Sequence, residues 1–167
     1  ELFRYHYSPA NKDPDLGATR GVLGTCLTLL EQGATHVGVA TDHVIESFRN
    51  DLWPTYKDGS GVDPRLKAQF PVVEDALRAF GFTVWAMVEQ EADDALAAAA
   101  LVAAADHRVE RATICTPDKD LGQCVGGRVV QLDRRKGVEI DAAGVEERFG
   151  VVPESIPDYL ALVGDSA

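Results

Sequence analysis

The strongest constraint on this chain is an alternation. Short apolar runs at 35–40, 83–88 and 112–116 are separated by stretches with helical spacing. Runs of five or six residues rich in Val, Ile and Thr read as buried strands. Strands alternating with helices predict an α/β fold of three layers, a doubly wound and mostly parallel sheet with helices on both faces. Ligands in such folds gather outside the carboxyl ends of the strands. Acids stand at those ends here. Asp42 follows the first run, Glu91-Ala92-Asp93-Asp94 the second, and Asp118-Lys119-Asp120 the third.

The remaining elements are read from period and punctuation. Residues 1–7 read as a helix end closed by Ser8-Pro9, and 11–16 as a polar turn. Residues 19–32 form a helix with Val22, Leu23, Cys26, Leu27, Leu29 and Leu30 on one face, stopped by Gly33. Residues 43–53 are expected to be helical. Residues 54–64, with two prolines and two glycines, are expected to be a mobile loop. One amphipathic helix is expected over 64–80, capped by Gly81. An alanine-rich helix runs from Glu91 to 105, and a short one reaches Cys124. Residues 129–132 and 138–140 flank Asp133-Arg134-Arg135-Lys136-Gly137 as a hairpin or an edge pair. Helices over 141–149 and 153–163 complete what is expected to be a single domain of 167 residues.

One or two acids at a helix start are explained by capping and the helix dipole. A repeat of the pattern after successive strands is not. Crowded carboxylates repel unless they share a cation or a proton. An all-carboxylate site selects a hard cation, so Mg²⁺ or Mn²⁺ is favoured over zinc. Two such ions suit in-line displacement at phosphorus. No Ser-His-Asp or Cys-His arrangement and no phosphate-binding P-loop offers a rival chemistry. The plain alternative is a solvated acidic rim.

The motifs, taken together, resemble the 5′-3′ exonuclease domain of bacterial DNA polymerase I and the flap endonucleases, PIN-like nucleases. Five segments carry the resemblance, in family order: Asp42; Phe48-Arg49 with Tyr56-Lys57; Glu91-Ala92-Asp93-Asp94; Thr116-Pro117-Asp118-Lys119-Asp120-Leu121; and Asp158-Tyr159-Leu160-Ala161-Leu162-Val163-Gly164-Asp165-Ser166. The resemblance implies a 5′-3′ exonuclease or structure-specific flap endonuclease that hydrolyses DNA phosphodiesters with two Mg²⁺ or Mn²⁺ ions. It implies metal ligation by Asp42, Glu91, Asp93, Asp94, Asp118, Asp120 and Asp165. It places an arch over residues 48–70. There Lys57 acts as phosphate electrophile, Arg49 as bidentate phosphate clamp and Tyr56 as a base-stacking platform. Its substrate would be DNA with a 5′ flap, nick or free 5′ end, with a DNA polymerase as a further partner.

The chain departs from that pattern in places. Ser60 stands where the arch usually carries an arginine, and Gly122 and Cys124 replace bulkier apolar residues. The family's first metal aspartate would precede Glu1, and its DNA-gripping region would follow Ala167. A fragment that cleaves poorly by itself is therefore the expectation. Blander duties stand beside the sharper ones: Arg49 as a surface ion pair with Asp51 or Glu46, Tyr56 and Trp53 as arch packing, Trp85 as core, the histidines as structural, and Arg134, Arg135 and Lys136 as a solvated hairpin tip.

The net charge of −11 argues against nucleic acid. Without the seven proposed ligands, 20 acids face 16 bases, a balance of −4, so much of the acidity belongs to the site. No apolar run approaches the ~20 residues of a membrane span. No secretory-signal pattern opens the chain, so a cytoplasmic location without membrane contact is expected. Cys26, Cys115 and Cys124 lack metal-ligand spacing and read as buried, reduced thiols. Two other classes remain open at this stage: a haloacid-dehalogenase-type phosphatase built on Asp118-Lys119-Asp120, and a non-catalytic, structure-specific DNA-binding module.

Overall fold

The structure, a computed structural model, describes residues 5–8, 13 and 15–164. Its backbone forms two compact units, Glu1–Ala95 and Leu96–Ala167.

The first unit contains α1 (Gly17–Glu31), β1 (Gly38–Asp42), α2 (Arg49–Leu52), α3 (Pro64–Lys67), α4 (Phe70–Ala79) and β2 (Thr83–Met87). β1 and β2 pair in parallel, with Gly38 opposite Thr83 and Asp42 opposite Met87. A parallel pair needs a long crossover, and α2, α3 and α4 lie within it. Val22, Cys26, Val73 and Leu77 form the core between α1 and α4, and Val39 and Val84 from the strands pack against it. The Trp85 ring occupies the space where a Cβ on Gly38 would stand, so only glycine fits that position of β1.

Three expectations change here, each for a physical reason. Residues 64–80 form two helices. Pro71 lacks an N–H and fits only in a first turn, which α4 supplies. At the break Gln69 turns inward, and its Oε1 accepts hydrogen bonds from the Thr19 N–H and hydroxyl at 3.1 and 3.3 Å. Helix over 43–53 shrinks to α2. The N–H groups of Val44 and Phe48 donate instead to the carbonyls of Met87 and Glu89, at 3.1 and 2.7 Å. The buried face of α1 is Ala18, Thr19, Val22 and Cys26, while Leu27 and Leu30 are exposed. The expected turn and helix end before α1 lie largely outside the described residues.

α5 (Ala92–Ala105) begins in the first unit and continues into the second. There follow β3 (Ala112–Ile114), a 3₁₀ turn (Lys119–Cys124), β4 (Val129–Asp133), β5 (Val138–Ile140), α6 (Ala142–Phe149), a second 3₁₀ turn (Pro153–Ser155) and α7 (Ile156–Val163). β3 pairs with β4 in parallel and β4 with β5 antiparallel. The expected hairpin is present, and Gly137 takes its left-handed position at φ +65°. Asp141 caps α6 by accepting the Gly144 N–H at 2.9 Å. Two apolar clusters fill this unit: Ala100, Ile114, Leu121 and Val129, then Val125, Ile140, Val145 and Ile156.

No disulfide joins the three cysteines, and of the expected buried thiols only Cys26 is buried. Cys115 is exposed because Ile114 and Thr116 on either side point inward and extended backbone alternates faces. Among the described residues no helix is long and apolar enough to cross a membrane.

Candidate functional site

Parallel pairing of β1 with β2 puts Asp42 and the segment after Met87 at the same end of that sheet. Asp42 Oδ1 accepts the N–H of Ala92, the first residue of α5, at 2.7 Å. The carboxylate so caps an electropositive helix start. Its Oδ2 accepts from Lys57 Nζ at 3.0 Å. The same ammonium lies 3.3 Å from Glu91 Oε2. Glu91 is buried, at 8% exposure, and its Oε1 accepts from the Ser47 hydroxyl at 2.7 Å. Arg49 NH1 stands 3.4 Å from that Oε1. The Arg49 guanidinium also grips both oxygens of Asp94, at 2.9 and 2.8 Å. Asp94 Oδ2 accepts the Glu91 N–H at 2.9 Å, so this acid both caps the helix and pairs with arginine.

Asp42, Lys57, Glu91, Arg49 and Asp94 therefore form one continuous string of ion pairs. Burying a charge is tolerable only with such pairing. The electrostatics follow from it. The Asp94 carboxyl is held below the usual range by its bonds to Arg49, against a smaller opposing effect of burial. Arg49 is held above its usual value by Asp94, against burial. Burial alone would lower Lys57, but its bond to Asp42 and the fields of Asp42 and Glu91 outweigh that and raise it.

Other anticipated residues fall as follows. Tyr56 is 46% exposed, and burial of part of its ring, then the charge of Glu91, raises its hydroxyl pKa. Arg49 stacks over the Phe48 ring with its guanidinium carbon 4.7 Å from the centroid. Trp53, expected to pack, is 66% exposed. Asp93 sits half-buried in the first turn of α5. In the second unit Asp118 caps the 3₁₀ turn by accepting the Asp120 N–H at 3.0 Å, and Asp120 itself is exposed. Arg134, Arg135 and Lys136 occupy the hairpin tip, where Asp133 Oδ1 accepts the N–H groups of Arg135 and Lys136. Asp165 lies outside the described residues.

Sequence reasoning missed four residues. Ser47 and Asn50 brace Glu91 and Lys57. Buried Glu74 accepts from the Thr41 hydroxyl at 2.7 Å and pairs with His43 Nδ1 at 2.9 Å, so it holds both neighbours of Asp42. Buried Gln131 donates its amide to the carbonyls of Thr116 and Asp118. A signal existed for Glu74, which stands between Val73 and Leu77 on the buried face of α4.

Among the described residues, no three of His, Cys, Asp and Glu converge on one point. Asp42 and Glu91 do converge, and the point holds the Lys57 ammonium. Two hard oxygen donors thus already accommodate a cation, which fits a hard divalent ion in kind.

A family model described as "5'-3' exonuclease, N-terminal resolvase-like domain" matches residues 1–150. DNA polymerase I of Pseudomonas aeruginosa is 36% identical over 151 residues, covering 89% of this chain and 16% of that polymerase. Flap endonuclease Xni of Aeromonas salmonicida is 35% identical over 152 residues, covering 89% of this chain and 57% of that protein. The chain therefore spans a minor part of the polymerases it matches and somewhat over half of the endonuclease. Among solved structures, the bacteriophage T5 flap endonuclease in a pseudo-enzyme-product complex with DNA and metal ions aligns with a TM-score of 0.74 at 20% identity. That alignment covers 98% of this chain and 63% of that one. A second crystal structure of the T5 protein, co-crystallised with metal ions, aligns with a TM-score of 0.70.

Proposed function

Because the chain belongs to the family of 5′-3′ exonuclease N-terminal, resolvase-like domains, we propose that it hydrolyses DNA phosphodiesters at 5′ ends, nicks and flaps with divalent cations. The observation that carries this reading is the convergence of Asp42 and Glu91 on one cationic point, the Lys57 ammonium. Mg²⁺ or Mn²⁺ is the proposed cofactor, and two ions is the proposed count, since in-line displacement at phosphorus favours two. Asp42, Glu91, Asp93 and Asp94 are the proposed ligands in the first unit, Asp118 and Asp120 in the second, together with Asp165, which lies outside the described residues. When bound, such ions polarise an attacking water and offset charge on the leaving oxygen.

The rest of the chemistry falls to the chain's own residues. Lys57 and Arg49 are paired with three carboxylates, those of Asp42, Glu91 and Asp94. On the proposed reading they turn to the scissile phosphate, Lys57 as a point charge and Arg49 as a bidentate fork. Tyr56, half-exposed beside them, offers a face on which a base can stack. A DNA polymerase region is the proposed partner, by similarity to the polymerases above, and the cytoplasm is the proposed location.

Thermal melting tests the metal, and cleavage tests the reaction. A ligand that binds only the folded state raises stability by about 2.7 kcal/mol at a hundredfold excess over Kd. The melting temperature should therefore climb with millimolar Mn²⁺ or Mg²⁺, and the climb should shrink in Asp42→Asn and Glu91→Gln. A duplex with a labelled 5′ flap should be cut in Mg²⁺, slowly but measurably, to 5′-phosphorylated products. Melting indifferent to Mn²⁺, together with an intact flap, would sink the reading.

A further inference from the structure

We propose that Asn50 is the positioning residue for Lys57: its carboxamide fixes where the ammonium stands. Lys57 belongs to the segment between α2 and α3, which has no helix or strand of its own. A lysine amine on an unpinned backbone reaches many positions through its four rotatable bonds. Here the backbone is pinned. Asn50 Nδ2 donates to the Lys57 carbonyl at 2.7 Å, while Asn50 Oδ1 accepts the Ser47 N–H at 3.0 Å. The Ser47 hydroxyl donates to Glu91 Oε1 at 2.7 Å, and Glu91 Oε2 lies 3.3 Å from Lys57 Nζ. These four residues close a ring: Lys57 to Asn50, to Ser47, to Glu91, and back to Lys57.

The chemistry of the ring selects the residue type. Position 50 must accept from an N–H and donate to a carbonyl at once. A carboxamide does both, a carboxylate only accepts, and alanine does neither. Asn50 also stands next to Arg49 in the single turn of α2, so one helical turn aims Arg49 at Asp94 and ties down Lys57. Such bracing is how a preorganised donor keeps its geometry without paying reorganisation at the moment of reaction.

The duty of Lys57 in this inference rests on the proposed function; the pinning of Lys57 does not. Two readouts separate them. Acetylation by an N-hydroxysuccinimide ester, followed lysine by lysine by mass spectrometry, reads how often the Lys57 amine leaves its ion pairs and becomes available to react. Asn50→Ala should speed labelling of Lys57 several-fold and leave Lys67 and Lys136 unchanged. Asn50→Asp keeps the acceptor for the Ser47 N–H and preserves the start of α2, and it should speed Lys57 in the same way. A general loss of stability would instead raise labelling of all three lysines together. The second readout is flap cleavage in Mg²⁺. Lys57→Ala should lower turnover roughly 10²-fold, and Asn50→Ala roughly tenfold. The double variant should be no slower than Lys57→Ala, since the two residues act as one unit. Lys57 labelled at the wild-type rate in folded Asn50→Asp, or additive losses in the double variant, overturns the inference. A wild-type protein that cuts no flap sinks the proposed function, and the labelling still decides the role of Asn50.

Discussion

A carboxylate with 2% of its surface exposed, as Glu74 has, must be matched by donors. It is matched by Thr41 and His43, one on each side of Asp42. Thr41→Val keeps the shape and removes the 2.7 Å bond. The protein should lose about 1–3 kcal/mol, the usual cost of leaving a buried polar group short of a partner, which denaturant unfolding would measure. A loss under a few tenths would mean that His43, Arg78 and water satisfy Glu74 without Thr41. Lys57→Ala belongs to the same scale. On the proposed reading it lowers turnover far more than substrate binding, because it removes charge stabilisation that grows toward the transition state; equal losses would make Lys57 an ordinary phosphate contact. The acids of the site were legible because each follows an apolar run, and position after a strand is a local property. Ser47 and Glu74 were not. Their partners lie 44 and 33 residues away, and a serine or glutamate looks the same with or without them.

Elements were legible wherever one rule acted alone. The hairpin of β4 and β5 announced itself by two β-branched runs around a charged turn ending in Gly137, and β1 and β2 by apolar runs. The single helix expected over 64–80 failed because the buried residues of α3 and α4, Leu66, Val73 and Leu77, keep a helical spacing straight across the break. The period hid the interruption, and Pro71 was the better guide. Residues 43–48 had helical composition, but the N–H groups of Val44 and Phe48 found carbonyls at the end of β2 and just past it, a tertiary choice that no window on the sequence shows. Two substitutions probe elements separately. Gly38→Ala drives a methyl into the Trp85 ring and should destabilise the β1–β2 pair by about 1–3 kcal/mol, the usual cost of overpacking. Asp141→Ala removes the cap of α6 and should cost about 1 kcal/mol. Chemical denaturation of both variants checks them. A neutral Gly38→Ala would mean that the Trp85 ring moves aside freely.

At the scale of the whole molecule the proposed function raises the question of how a chain of net charge −11 would hold a polyanion. The string of ion pairs gives a thermodynamic answer. Arg49 and Lys57 are engaged by Asp42, Glu91 and Asp94, so a DNA phosphate would have to compete with three carboxylates for them. On the proposed reading a divalent cation on those carboxylates would free both bases, and linkage requires that DNA would then strengthen cation binding by the same factor. Binding of a fluorescent 5′-flap duplex with uncleavable phosphorothioate linkages should therefore be weak in EDTA and tighten in Mg²⁺. The tightening should shrink in Lys57→Ala. With few bases presented, the salt dependence should also be shallow. Two phosphate contacts predict a slope of log K against log salt of about −2, following −0.9 per contact. Anisotropy titrations between 50 and 200 mM salt would sample the range over which proteins with many contacts lose affinity steeply. A slope several times steeper would reveal a basic face beyond Arg49 and Lys57. Binding that is equal in EDTA and in Mg²⁺ would show that the carboxylates never restrained the two bases, and the exchange of partners would have to be abandoned.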